Sequence, residues 1–148
     1  MDRVKLQHEL SDGAPAVGCL RASIPLASST QIEVQQIELA VDLPRVISGD
    51  GRTLVARIKL VSAIASNPDR LSARLHAKSM DHWEFASGVS VFLEPGTWTD
   101  LEFPFNEPEW TEPAFDEGRV VIWGVSLRAT DWTYDKPIEV LIDSVQFK

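Results

Sequence analysis

Cationic side chains alternate with apolar ones along two stretches of this chain, and their spacing could place them on one surface. In residues 53–61, Arg57 and Lys59 share one parity with Val55 and Val61, while Leu54, Ala56, Ile58 and Leu60 share the other. In residues 72–78, Arg74, His76 and Lys78 alternate with Ala73, Leu75 and Ala77. Period two over this length marks strands with one buried and one wet face. Consecutive strands often lie side by side, which would gather Arg57, Lys59, Arg74, His76 and Lys78 on one sheet. A later strand, residues 119–129, presents Ile122, Gly124, Ser126 and Arg128 on one parity and would add Arg128 to that face. Gly124 would leave a low spot where a ligand approaches closely. Guanidinium and ammonium groups so arranged can hold hydroxyls and anions by charge-assisted hydrogen bonds. The alternative is a solvated face whose charges pair with neighbouring Asp and Glu.

The chain has 5 Trp residues. Trp98 and Trp123 fall within strands, where a large ring is usually core; Trp123 shares parity with Val121, Val125 and Leu127. Trp83, Trp110 and Trp132 fall in or beside loops. Loop indoles offer flat surfaces on which the C–H faces of sugar rings stack, and nearby Arg, Lys, His and Glu supply partners for sugar hydroxyls. The alternative is that these rings fold back to close the ends of the fold.

Other chemistries lack their residues. His8, His76 and His82 show no metal-ligand spacing, and there is no nucleophile elbow, phosphate loop or dinucleotide fingerprint. The acidic run Glu107, Glu109, Glu112, Asp116 and Glu117 offers many carboxylates. A glycosidase pair, however, must be held at a set separation, and nothing in the spacing does so. The expectation is a binding domain, not an enzyme. A formal net charge of −8 disfavours nucleic acid and anionic membrane as partners. One cysteine, Cys19, rules out an internal disulfide and fits a buried thiol. No apolar run reaches the roughly 20 residues that span a bilayer. No export signal is visible: residues 1–3 lead straight into an alternating strand.

The elements that must carry these residues are strands. Alternation predicts strands over residues 4–10, 18–26, 31–41, 53–61, 72–78, 89–93, 97–105, 119–129 and 138–147, with a bulge between Gln35 and Gln36. Asp, Gly and Pro mark the turns, and residues 42–52, 106–118 and 130–137 read as loops. Short strands between such turns, without a convincing helix, predict an all-β, antiparallel two-sheet β-sandwich. With 148 residues and 44% hydrophobic content, residues 1–148 form a single domain with a core of its own.

The order of segments resembles carbohydrate-binding modules with the galactose-binding-like β-sandwich (jelly-roll) fold. The resemblance rests on Ser11-Asp-Gly-Ala-Pro-Ala-Val-Gly-Cys-Leu20 followed by Ile24-Pro25, then Thr53-Leu-Val-Ala-Arg-Ile-Lys-Leu60 and Gly96-Thr-Trp-Thr-Asp-Leu101. It closes on Ile122-Trp-Gly-Val-Ser-Leu127 and Ile142-Asp-Ser-Val145. It implies that Arg57, Lys59, Arg74, His76, Lys78 and Arg128 line a concave sheet face with Trp83 at its edge. It also implies a structural Ca²⁺ with Asp143 as a ligand, because a carboxylate inside an apolar strand needs a partner. A β-linked polysaccharide or oligosaccharide is the implied ligand, and the abundance of cations hints at an anionic or mixed one. Such modules are tethered to the catalytic domain of a secreted, glycan-degrading enzyme. The alternative is a structural or protein-interaction β-sandwich that binds no glycan.

Overall fold

The computed structural model describes residues 5–9, 18–24, 34–61, 71–80, 84–130 and 137–148. Their strands are β1 (Lys5–Glu9), β2 (Cys19–Ile24), β3 (Val34–Ile47), β4 (Thr53–Leu60), β5 (Leu71–Ser79) and β6 (Glu84–Ser87). There follow β7 (Val91–Phe92), β8 (Trp98–Pro104), β9 (Trp110–Thr111), β10 (Val120–Thr130) and β11 (Ile138–Phe147). One sheet has five strands in the order β1-β2-β11-β4-β8; the other has six, β3-β10-β5-β6-β9 with β7 beside β5. Every strand pair is antiparallel. The chain is the expected two-sheet β-sandwich.

Alternation decides what lies between the sheets. From the five-stranded sheet come Ala22, Ile24, Leu54, Ala56, Ile58, Leu101, Phe103, Val140 and Ile142; from the other come Ala73, Leu75, Ala77, Val125, Leu127 and Ala129. Each large apolar side chain so buried contributes about 1.5–3 kcal/mol against leaving it in water. Cys19 is buried, as expected. The rings of Phe103 and Phe105 lie 4.5 Å apart, and Phe105 also stacks on Phe115 at 6.5 Å. Phe115 belongs to the acidic segment 106–118, so this stack ties that segment to the core. Two backbone amides tie it further: Glu112 N donates to Phe85 O at 2.8 Å, and Asp116 N to Ser79 Oγ at 3.0 Å. Trp110, carried on β9, is thereby held beside β6.

Four expectations are corrected. The strands bearing the alternating cations are not neighbours: β4 lies between β11 and β8, and β5 between β10 and β6. Period two says which face of a strand is buried, not which strand stands beside it. The third strand does not stop at residue 41 but continues to Ile47, through Pro44. Proline is tolerated there because β3 is an edge strand, and its missing N–H costs no ladder bond on the open side. Pairing with β10 is unbroken at Gln35 and Gln36; the register shifts between Val120 and Ile122 instead, opposite residues 43–46. Finally, Trp98 is not core. It stands opposite Lys59 on the outer face of the five-stranded sheet, with the Lys59 ammonium 5.5 Å from its ring centre.

Candidate functional site

The outer face of the six-stranded sheet is a lattice of cross-strand rows, because directly opposed residues project to the same side. The first row reads Gln36, Arg128, Ser72, Phe92, and the second Glu38, Ser126, Arg74. The third reads Ala40, Gly124, His76, Ser87, Trp110, and the fourth Asp42, Ile122, Lys78, Phe85. Successive rows are two residues apart along each strand, roughly 7 Å. Cations, amides, carboxylates and aromatic rings therefore meet on one surface.

Aromatic contact organises the centre. The rings of His76 and Phe85 stack with centroids 5.2 Å apart and planes 23° apart, and Phe85 meets Trp110 at 5.5 Å. The Arg74 guanidinium lies 5.7 Å from the Phe85 ring centre, within cation–π range. Glu112 Oε2 accepts a hydrogen bond from Phe85 N at 2.9 Å. Trp110 remains 47% exposed, unusually wet for an indole that packs on another ring. A groove of ≈ 450 Å³ opens among Gln36, Glu38, Arg74, Lys78, Phe85, Trp110 and Glu112.

Beneath it, His76 is 0% exposed although it projects outward. Its Nδ1 lies 3.0 Å from Ser126 Oγ, and its Nε2 lies 4.0 Å from Glu38 Oε2, too far for a hydrogen bond. Glu38 Oε2 instead takes the Lys78 ammonium at 3.1 Å. Burial lowers the His76 pKa to about 4, with Lys78 and Arg74 adding to the shift and Glu38 opposing it. The imidazole is neutral at pH 7. His76 Nε2 and Ser87 Oγ are both buried without a hydrogen-bond partner among the described residues. Polar atoms left so cost about 1–3 kcal/mol each, and they sit side by side under the aromatic cluster. The low spot expected at Gly124 is filled by the His76 ring, since a Cβ there would lie 2.6 Å from its Cε1.

Of the residues expected to act together, Arg74, His76, Lys78 and Arg128 share this face. Arg57 and Lys59 do not; they belong to the other sheet, where Arg57 Nε pairs with Asp100 Oδ1 at 2.7 Å. Trp83 and Trp132 lie outside the described residues. Asp143, on β11, stands opposite Arg57 in register. A Ca²⁺ ion takes about six to eight oxygen ligands. Among the described residues no three His, Cys, Asp or Glu side chains gather as a metal site. What sequence reading missed is the neutral and acidic half of the face: Gln36, Glu38, Phe85 and Glu112. Gln36 and Glu38 alternate with Ile37 and Leu39, a signal that the expected bulge obscured. Trp110 stood out by type, but nothing in its loop announced the pairing of β9 with β6.

No family model and no curated protein matches the sequence. Solved structures do match. A family 11 carbohydrate-binding module from Clostridium thermocellum, in complex with a β-1,3-1,4-mixed-linked tetrasaccharide, is 14% identical, with TM-score 0.58, covering 99% of this chain and 84% of that one. The family 30 carbohydrate-binding module of a cellulosomal cellulase of the same organism is 10% identical, with TM-score 0.60, covering 97% and 82%. The CBM22-1 and GH10 modules of a Clostridium thermocellum endo-1,4-β-D-xylanase, complexed with xylohexaose, are 9% identical, with TM-score 0.59, covering 100% of this chain and 25% of that one. The chain has the β-sandwich fold of these carbohydrate-binding modules.

Proposed function

We propose that this chain is a non-catalytic module that binds a β-linked polysaccharide or oligosaccharide across the outer face of its six-stranded sheet. The observation that carries the reading is Trp110. It is an exposed indole braced by Phe85 at 5.5 Å, at the rim of a groove otherwise lined by charged and amide side chains. A sugar ring stacked on Trp110 would bring its hydroxyls over Arg74, Lys78, Glu38 and Gln36, which supply both donors and acceptors. Because Phe85, Arg74 and His76 already pack together, little side-chain entropy is lost when a ligand arrives. The solved modules of this fold that carry a tetrasaccharide or xylohexaose support the same class of ligand.

The reading is binding without bond cleavage. Both groove carboxylates are committed: Glu38 to the Lys78 ammonium, Glu112 to the amide of Phe85. As a module the chain would serve a larger, secreted glycan-degrading protein, holding its catalytic domain on the substrate. Affinity gel electrophoresis tests the reading. Retardation by at least one of xylan, glucomannan, β-glucan, alginate or pectin is expected, with no reducing ends released. Migration unchanged by all five would overturn it in favour of a structural or protein-interaction sandwich.

A further inference from the structure

The face does not end at the Trp110 groove. Two rows from Trp110, at the end of β5 opposite Lys78, Ser72 stands between Arg128 of β10 and Phe92 of β7. From Ser72 to Lys78 the strand spans roughly 20 Å. Phe92 is 60% exposed, the most exposed of the large hydrophobic side chains described. Neighbouring strands are about 5 Å apart, and Ser72 is too small to separate its two neighbours. The long Arg128 side chain can therefore reach over it toward the Phe92 ring. The row's remaining member, Gln36, is a neutral amide. The nearest carboxylate by register is Glu38, one row on, and the Lys78 ammonium takes it at 3.1 Å. Arg128 is exposed and forms no ion pair among the described residues.

We infer that this end of the face is a second subsite, in which Phe92 stacks a sugar ring and Arg128 takes the carboxylate of a uronic acid unit of the same chain. The inference rests on the glycan-binding reading and adds to it a ligand length and a charge. A guanidinium fork matches a carboxylate with two parallel hydrogen bonds, whereas a neutral hydroxyl satisfies only part of it. Phe92 and Trp110, two rows and one strand apart and so roughly 15 Å from each other, suit a chain of several units and not a single sugar. The net charge of −8 repels polyanions overall, so selection for one depends on this local guanidinium.

The test uses matched ligands that differ in charge: glucuronoxylan against arabinoxylan, and carboxymethylcellulose against hydroxyethylcellulose, with sulfated carrageenan as a third arm. Binding to a carboxylated member at least tenfold tighter than to its neutral partner is expected, as for a charge-assisted hydrogen bond. Arg128→Gln should bring the two affinities together, and Phe92→Ala should weaken long chains while sparing short ones. Both positions are exposed, so the variants should melt as the wild type does. Equal affinity for the charged and neutral members, or a preference that survives Arg128→Gln, would overturn the subsite while leaving glycan binding intact. Preference for carrageenan alone would overturn the carboxylate assignment. Binding to none of the ligands would overturn both readings.

Discussion

Gly124 and His76 stand directly opposite each other on β10 and β5, and the imidazole occupies the space that a side chain at 124 would fill. An added Cβ would lie 2.6 Å from His76 Cε1 and 2.5 Å from the backbone carbonyl of Leu39. The ring could swing away, but the carbonyl belongs to a paired strand and cannot. Gly124→Ala should therefore cost about 1–3 kcal/mol of stability, as overpacking does, read from denaturant unfolding. It should also weaken glycan binding by disturbing the ring on which Phe85 rests. A variant of wild-type stability would show that the two strands are not packed this closely.

The buried imidazole predicts acid sensitivity of a definite sign. Its pKa falls from 6.5 unfolded to about 4 folded, because burial opposes the charge and Lys78 and Arg74 add to that, while Glu38 opposes it. Above pH 6.5 both states are neutral and the full stability is present. As pH drops toward 4 the unfolded chain takes a proton that the folded one refuses, and stability declines. Between pH 7 and 5 the wild type should lose about 2 kcal/mol more than His76→Gln does. Parallel pH profiles for the two proteins would contradict this.

Trp110 and Phe85 share a contact but should respond differently to truncation. Trp110 is 47% exposed, so Trp110→Ala should leave the melting temperature nearly unchanged. Its glycan affinity should fall by about 1–3 kcal/mol, the scale on which bases stack on aromatic side chains. Phe85 is half-buried between His76, Arg74 and Trp110, so Phe85→Ala should lower both stability and affinity. Calorimetric titration with the glycan found by electrophoresis would read both. A Trp110→Ala variant that binds like the wild type would remove the ring from the site.

Arg57 and Lys59 provide the control. They project from the five-stranded sheet, engaged with Asp100 and with the Trp98 ring. Lys59→Ala, which trims a half-buried side chain on the outer face of the five-stranded sheet, should change glycan affinity by less than about 0.5 kcal/mol. A large loss would move the binding surface to the other sheet.

Much of this was legible in the sequence, for a physical reason. Alternation in residues 53–60 and 71–79 fixes which side chains are buried, and Leu54, Ala56, Ile58, Ala73, Leu75 and Ala77 are all in the core. The grouping of Arg74, His76, Lys78 and Arg128 followed the same way, because β5 and β10 happen to be neighbours. The error over Arg57 and Lys59 has the opposite cause. Strand order depends on long-range pairing, and β4 finds its partners in residues 98–104 and 138–147, far along the chain. Trp110 was hidden because β9 is two residues long, too short to show a period. Pro44 misled for a local reason: its missing N–H forbids a central strand, and only the edge position of β3 removes the objection.

The most direct test of the account is to find which face meets the glycan. Amide and indole resonances of the ¹⁵N-labelled protein should be followed by NMR while a bound oligosaccharide is titrated in. Shifts should concentrate on Gln36, Glu38, Arg74, Lys78, Phe85 and the Trp110 indole, with Arg57, Lys59 and Trp98 unmoved. Shifts confined to the five-stranded sheet would contradict the account.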